Sequence, residues 1–183
     1  MKKIIIAALL GVISFAGLSF IPAASGPSVV IKKGVMKIDG TNVTADWSLA
    51  TFKKALGEPE RTREGYNKTH TYDNKSIVLF EKMVDKKPSG TVSEVQYHFH
   101  VAESNNVTPD GPGFSGTIKV DKLVVTRDLS ATTMLSKLKN WEKTDSYIEH
   151  SYRMASKGLY IYFQFNDSEN KLEKISVGPD KKK

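Results

Sequence analysis

Two histidines two apart, His98 and His100, are the only pair in the chain spaced as metal ligands on a strand. Side chains at i and i+2 of a strand project from one face, so both rings would meet a common ion, with His70 or a carboxylate completing the set. Sequence alone identifies no third ligand. Solvent-facing histidine pairs are also the commoner arrangement, so metal binding, or metal-dependent catalysis, through His98 and His100 stands as an alternative reading rather than the main one. Other chemistry has less to work with. The chain has no cysteine, hence no thiol nucleophile and no disulfide framework. No G-x-S-x-G elbow presents a serine, and no glycine-rich phosphate loop follows a strand. Glu81, Asp85, Glu94 and Glu103 lie scattered among lysines, as solvated strand edges do. The residues therefore point to no catalytic group, no resident metal and no cofactor.

Recognition has better candidates. Leu159 to Phe165, LYIYFQF, alternates so that Leu159, Ile161, Phe163 and Phe165 face a core and Tyr160, Tyr162 and Gln164 face the other way. Tyrosines held on a rigid sheet offer large contact area at low entropic cost. In Val92 to Val101 the same alternation puts Val95, Tyr97, Phe99 and Val101 inside and Gln96, His98 and His100 on a wet face. If both strands belong to one sheet, His98 and His100 join Tyr160, Tyr162 and Gln164 on one binding face.

These strands need elements to position them. Residues 28–39 read as two short strands about Lys32-Lys33-Gly34. Ser48 is an N-cap for a helix whose Leu49, Phe52 and Leu56 form one stripe, and Gly57 is placed as a left-handed terminator before Pro59. Arg61 to Lys68 is polar enough for a surface loop. His70 to Tyr72 and Ile77 to Met83 form a strand pair turned at Asp73-Asn74-Lys75, and 102–112 is the longest loop, a hinge between halves. A second helix, capped by Ser130, carries Ala131, Met134, Leu138 and Trp141 on one stripe. Three strands follow, at 147–154, 159–165 and 172–177.

The two halves repeat. At an offset of 82 residues, Lys37 to Ser48 lies over Lys119 to Ser130 with six of twelve residues identical. Capped helix, H-[TS]-Y (His70 to Tyr72, His150 to Tyr152) and apolar strand then recur in order. The fold expected is α+β: two tandem helix-plus-antiparallel-sheet units, about 35–101 and 117–177, sharing a core or one continuous sheet within a single domain, 26–178. Phe52 and Met134 then take equivalent core positions. Residues 179–183 are expected as a disordered basic tail.

Residues 1–25 read as a signal peptide, with Lys2 and Lys3 ahead of an apolar run and Ala23-Ala24-Ser25 at the exit. The expectation is a protein exported to the periplasm or exterior, cleaved near residue 25 and, lacking cysteine, not a lipoprotein. Loss of Lys2 and Lys3 takes the formal charge from +7 to +5. That balance suits weak association with an anionic membrane surface; no basic, aromatic-interleaved motif suggests nucleic acid.

Leu56-Gly-Glu-Pro-Glu-Arg61, with Gly65-Tyr-Asn-Lys68 and Tyr72-Asp73, resembles a bacterial family of exported or lipid-anchored domains without assigned function, whose pattern is LG-x-P-x-R, Tyr-Asn, then [YW]-D. The layout is similar to small outer-membrane lipoproteins of the SmpA/OmlA type and to tandem-repeat β-lactamase inhibitor proteins. The resemblance implies a non-enzymatic module that binds another envelope or extracellular protein. The second half lacks this corner, so a family-specific role would rest on Gly57, Pro59, Arg61 and Asn67. A purely structural envelope protein is the remaining alternative.

Overall fold

The computed structural model describes residues 26–100, 108–144 and 146–180. Residues 1–25, expected as a signal peptide, Val101, most of the 102–112 loop, Asp145 and the last three lysines lie outside the described residues. Alternation builds the first hairpin: β1 (Ser28–Lys32) and β2 (Val35–Ile38) bury Val29, Ile31, Met36 and Ile38 and leave Val30 and Lys37 outside. Lys33 and Gly34 close it, both at positive φ, the twist that a two-residue hairpin turn requires. A second tight turn at Asp39-Gly40 leads to β3 (Thr41–Asn42).

Past the 102–112 region, β8 (Thr117–Val120) and β9 (Leu123–Val125) repeat the β2–β3 hairpin, with Asp121 at φ 50° where Asp39 has φ 46°. The identities at offset 82 therefore mark equivalent turns. β1 is hydrogen-bonded antiparallel to β2 and parallel to β8, giving a five-stranded sheet in the order β3-β2-β1-β8-β9. β1 is thus an unrepeated central strand flanked by two equivalent hairpins running in opposite directions.

The helices are capped alike. α1 (Leu49–Leu56) starts at Ser48, whose Oγ accepts the Thr51 N–H; α2 (Ala131–Lys137) starts at Ser130, whose Oγ accepts the Thr133 N–H, both at 3.2 Å. Phe52 and Met134, 82 residues apart, are both fully buried. The helix stops differ. Gly57 does not take the expected left-handed conformation; its φ of 86° comes with an extended ψ of −166°, which turns its carbonyl to accept the Tyr72 hydroxyl at 3.1 Å.

The larger sheet comprises β4 (Arg61–Arg63), β5 (Lys68–Tyr72), β6 (Ile77–Val84), β7 (Lys87–His98), β10 (Glu142–Thr144), β11 (Ser151–Ser156), β12 (Leu159–Phe165) and β13 (Leu172–Pro179). It is antiparallel throughout, ordered β10-β11-β12-β13-β7-β6-β5-β4, a palindrome about the β13–β7 pair. The α+β class with two units joined through a continuous sheet is the fold the chain adopts, and residues of both sheets and both helices share one buried cluster.

Several local expectations are corrected. Arg61 to Arg63 is an edge strand rather than loop, because β5 offers it a free edge. The strand expected at 147–154 begins only at Ser151; His150 sits at φ 53°, and Tyr147 and Ile148 are exposed. Pro179 ends β13, and Asp180, assigned to the tail, holds Arg153 at 2.6 Å. The H-x-Y matches are not equivalent positions: Tyr72 pairs with Ile77 beside its turn, whereas Tyr152 pairs with Phe163 far from the Ser156–Leu159 turn.

Candidate binding face

Alternation along β12 places Tyr160, Tyr162 and Gln164 on the sheet face opposite the core, half-buried, between the buried Leu159, Ile161, Phe163 and Phe165. Each is fixed by a neighbour. The Tyr160 hydroxyl donates to Glu94 Oε2 at 2.7 Å, and its ring lies against Gly178, its cross-strand partner. A Cβ at residue 178 would come within 2.6 Å of that ring, so glycine makes the space the tyrosine fills. The Arg153 guanidinium stacks 4.8 Å from the ring centroid and donates to Asp180 Oδ1 (2.6 Å) and Thr144 Oγ1 (3.2 Å). The Tyr162 and Ser146 hydroxyls share a 2.6 Å hydrogen bond.

These side chains border an open groove of ≈ 360 Å³ together with Gln96, Lys174 and Ser176. Glu94 is bound at both oxygens, Oε1 accepting from Gln96 Nε2 at 2.7 Å. Burial, then the Glu94 charge, pushes the Tyr160 phenol well above its usual range. Burial also lowers the Lys174 ammonium, against the pull of Glu94 and Glu173. The face offers rigid aromatic surface and hydrogen-bonding groups held in place by their neighbours. Sequence reasoning missed Arg153 and Lys174 and read Glu94 only as a solvated edge carboxylate; the three come from three other strands, and only the pairing registers bring them beside Tyr160 and Tyr162.

His98 and His100 do not share a wet face. The N–H groups of Phe99 and His100 both donate to the Glu173 carbonyl, which breaks the alternation after β7 and leaves His100 exposed beyond the strand. His98 is 5% exposed, and its Nε2 donates to Gln96 Oε1 at 3.2 Å. Burial, with Lys174 nearby, lowers its pKa to about 4. His70, the suggested third ligand, belongs to the core side, where its Nε2 meets Glu81 Oε2 at 2.8 Å while Glu81 Oε1 accepts the Gly90 N–H. Among the described residues no group of three metal-ligating side chains comes together.

The LG-x-P-x-R corner divides. Arg61 makes a two-pronged ion pair with Asp73 (2.7 and 2.6 Å) and donates to the Thr108 carbonyl at 3.0 Å. This bonding, with the Asp110 N–H, holds the Asp73 carboxyl below the usual carboxylate range. Gly111 then packs directly on the Asp73 carbonyl, so Arg61 and Asp73 dock the return of the chain from the 102–112 loop. Gly57 and Pro59 bring the chain to that clamp. Asn67 is elsewhere, at the tip of the β4–β5 hairpin with Glu64, Gly65 and a 96% exposed Tyr66.

Among the described residues no helix is long and apolar enough to cross a membrane. No curated protein matches the chain. Four solved chains are similar, among them three at low identity. A DUF4309 family protein from Bacillus subtilis shares 14% identity over 81% of this chain and 89% of its own, with a TM-score of 0.47. An extracellular protein containing an SCP domain from Bacillus anthracis shares 8% over 74% of this chain and 44% of its own, with a TM-score of 0.44. A cysteine-rich secretory protein from Staphylococcus aureus shares 12% over the same shares of the two chains, with a TM-score of 0.35. The family model described as a domain of unknown function, DUF7738, matches residues 28–135, from β1 into α2, which includes the Arg61 clamp and stops short of Tyr160. On that match the chain belongs to the DUF7738 family.

Proposed function

We propose that the chain is an exported bacterial binding module, without catalytic activity, that contacts another envelope or extracellular protein through the outer face of the larger sheet around Tyr160 and Tyr162. The observation that carries this reading is the way the two tyrosines are held: half-buried, each hydroxyl tied to a neighbour, one ring wedged between Gly178 and Arg153, beside an open groove. Preorganised aromatic side chains lose little entropy on contact, which favours association. Glu94, the carboxylate of the groove, is engaged at both oxygens, by Tyr160 and by Gln96, which supports a positioning role for it within a binding face. The export signal read in residues 1–25 supplies the compartment.

The test is affinity capture from an envelope fraction with the wild-type chain, with Tyr160→Ala/Tyr162→Ala, and with the exposed Tyr147→Ala as control. A partner retained by wild type and the control but lost with the double variant is the expected result. Equal retention by all three would remove the face from the proposal. Circular dichroism of each variant separates lost contact from lost fold.

A further inference from the structure

At the end of the larger sheet away from His98, two hairpin tips stand side by side. One is residues 64–67 between β4 and β5; the other is Asp85-Lys86 between β6 and β7. They share a cleft of ≈ 690 Å³, with Tyr66 and Asn67 on one wall and Lys82, Met83 and Lys86 on the other. Tyr66 is 96% exposed and Val84 57%, large apolar surfaces left open among the described residues. The two segments that form the tips, residues 63–68 and 82–87, carry five cations, Arg63, Lys68, Lys82, Lys86 and Lys87, of which Lys82 and Lys86 line the cleft. The carboxylates of the same two segments are Glu64, 3.4 Å from Lys68, and Asp85. Glu81 is withdrawn into the core against His70. The tips therefore carry a surplus of positive charge as well as protruding apolar groups. The β6–β7 turn reinforces this: Asp85 and Lys86 both have positive φ, a conformation that glycine or asparagine takes more easily, and here a lysine occupies it at the apex.

We propose that these two tips form a docking edge for an anionic lipid surface, Tyr66 and Val84 entering the interfacial layer while Lys86 and Lys87 meet phosphate headgroups. A soluble polyanion would be satisfied by the cations alone. The exposed tyrosine and valine between them are what a bilayer interface accepts, since aromatic rings settle at headgroup depth and basic residues near the surface add attraction. The edge shares no lining residue with the Tyr160 groove.

The absence of cysteine makes the test direct. A single Tyr66→Cys substitution in the full chain carries an environment-sensitive fluorophore at the tip. Tyr147→Cys, at a residue equally exposed before β11, at the other end of the strands, is the control. Each is mixed with vesicles of phosphatidylcholine alone or with equal parts phosphatidylglycerol. The expected result is a blue shift at position 66 with the anionic vesicles only, no shift at 147, and partitioning reduced about tenfold or more when Lys86→Ala and Lys87→Ala are added, each lysine contributing about fivefold. No shift at 66, an equal shift at 147 or with neutral vesicles, or indifference to the lysine changes overturns the proposal. Because the readout is local to position 66, insertion of residues 1–25 into the same vesicles does not mimic it.

Discussion

His98 shows how position in the fold changes a residue's chemistry. As one of a pair it looked like a metal ligand; buried at the end of β7 beside Lys174, it is a neutral hydrogen-bond donor to Gln96. This has a consequence for stability. Between about pH 6.5 and about pH 4 an unfolded chain protonates His98 while the folded chain does not, so the unfolded state binds more protons and stability falls as pH falls through that window. The loss is about 2–4 kcal/mol from this one group, at 1.36 kcal/mol per pKa unit. Urea unfolding of wild type and His98→Gln at pH 7 and pH 4.5 should show the variant losing less stability on acidification by about that amount; parallel losses would mean that His98 is solvated. Sequence reasoning located the histidines but not their burial, because the double acceptance by Glu173 that ends the alternation joins residues far apart in the chain.

At the scale of elements, short-range rules read well. Both serine caps, the α1 stripe, and the turns at Lys33-Gly34 and Asp73 to Lys75 follow from residues within a few positions of one another, whereas α2 ends at Lys137, so Leu138 caps it and Trp141 is buried from the turn beyond it. Phe52 and Met134 fill corresponding places on α1 and α2, each fully buried. Phe52→Ala should cost about 3–5 kcal/mol and Met134→Ala about 2–5 kcal/mol, measured by denaturant midpoint at unchanged slope. A cost under about 1 kcal/mol for either would mean that its helix does not pack as described. What local pattern misread was also local. The H-x-Y echo aligned His150 with His70, yet β11 begins after His150 and its tyrosine pairs at the far end of the hairpin from the turn. A three-residue echo with two identities carries no register information, whereas the twelve-residue match at offset 82 did.

At the scale of the whole molecule, β1 and the β13–β7 pair join the halves. β1 fills the middle of the smaller sheet, hydrogen-bonded to a hairpin from each half, and the core is one cluster. The two halves should therefore unfold together. Each carries one tryptophan, Trp47 packed on Phe52 and Trp141 donating to Asp121 at 2.9 Å, so Trp47→Phe and Trp141→Phe leave probes of opposite halves. Their urea transitions should coincide once corrected for each variant's own stability by circular dichroism, and Ile31→Ala on β1 should lower both probes together by about 2–5 kcal/mol. Separate midpoints would show two independent units.

The sequence by itself determined the α+β class, the repeat, the helix starts and most of the core faces, because periodicity and capping are set by neighbours along the chain. It also placed Tyr160, Tyr162 and Gln164 opposite the core, as β12 does. Only the tertiary structure decided what stands beside them. The order of strands puts Glu94 and Lys174 next to Tyr160, separates His98 from His70 by a sheet, ties Arg61 to Asp73 and leaves Tyr66 and Val84 uncovered. Those outcomes depend on which strand edges meet and in what register, a choice made by burying both halves in one core.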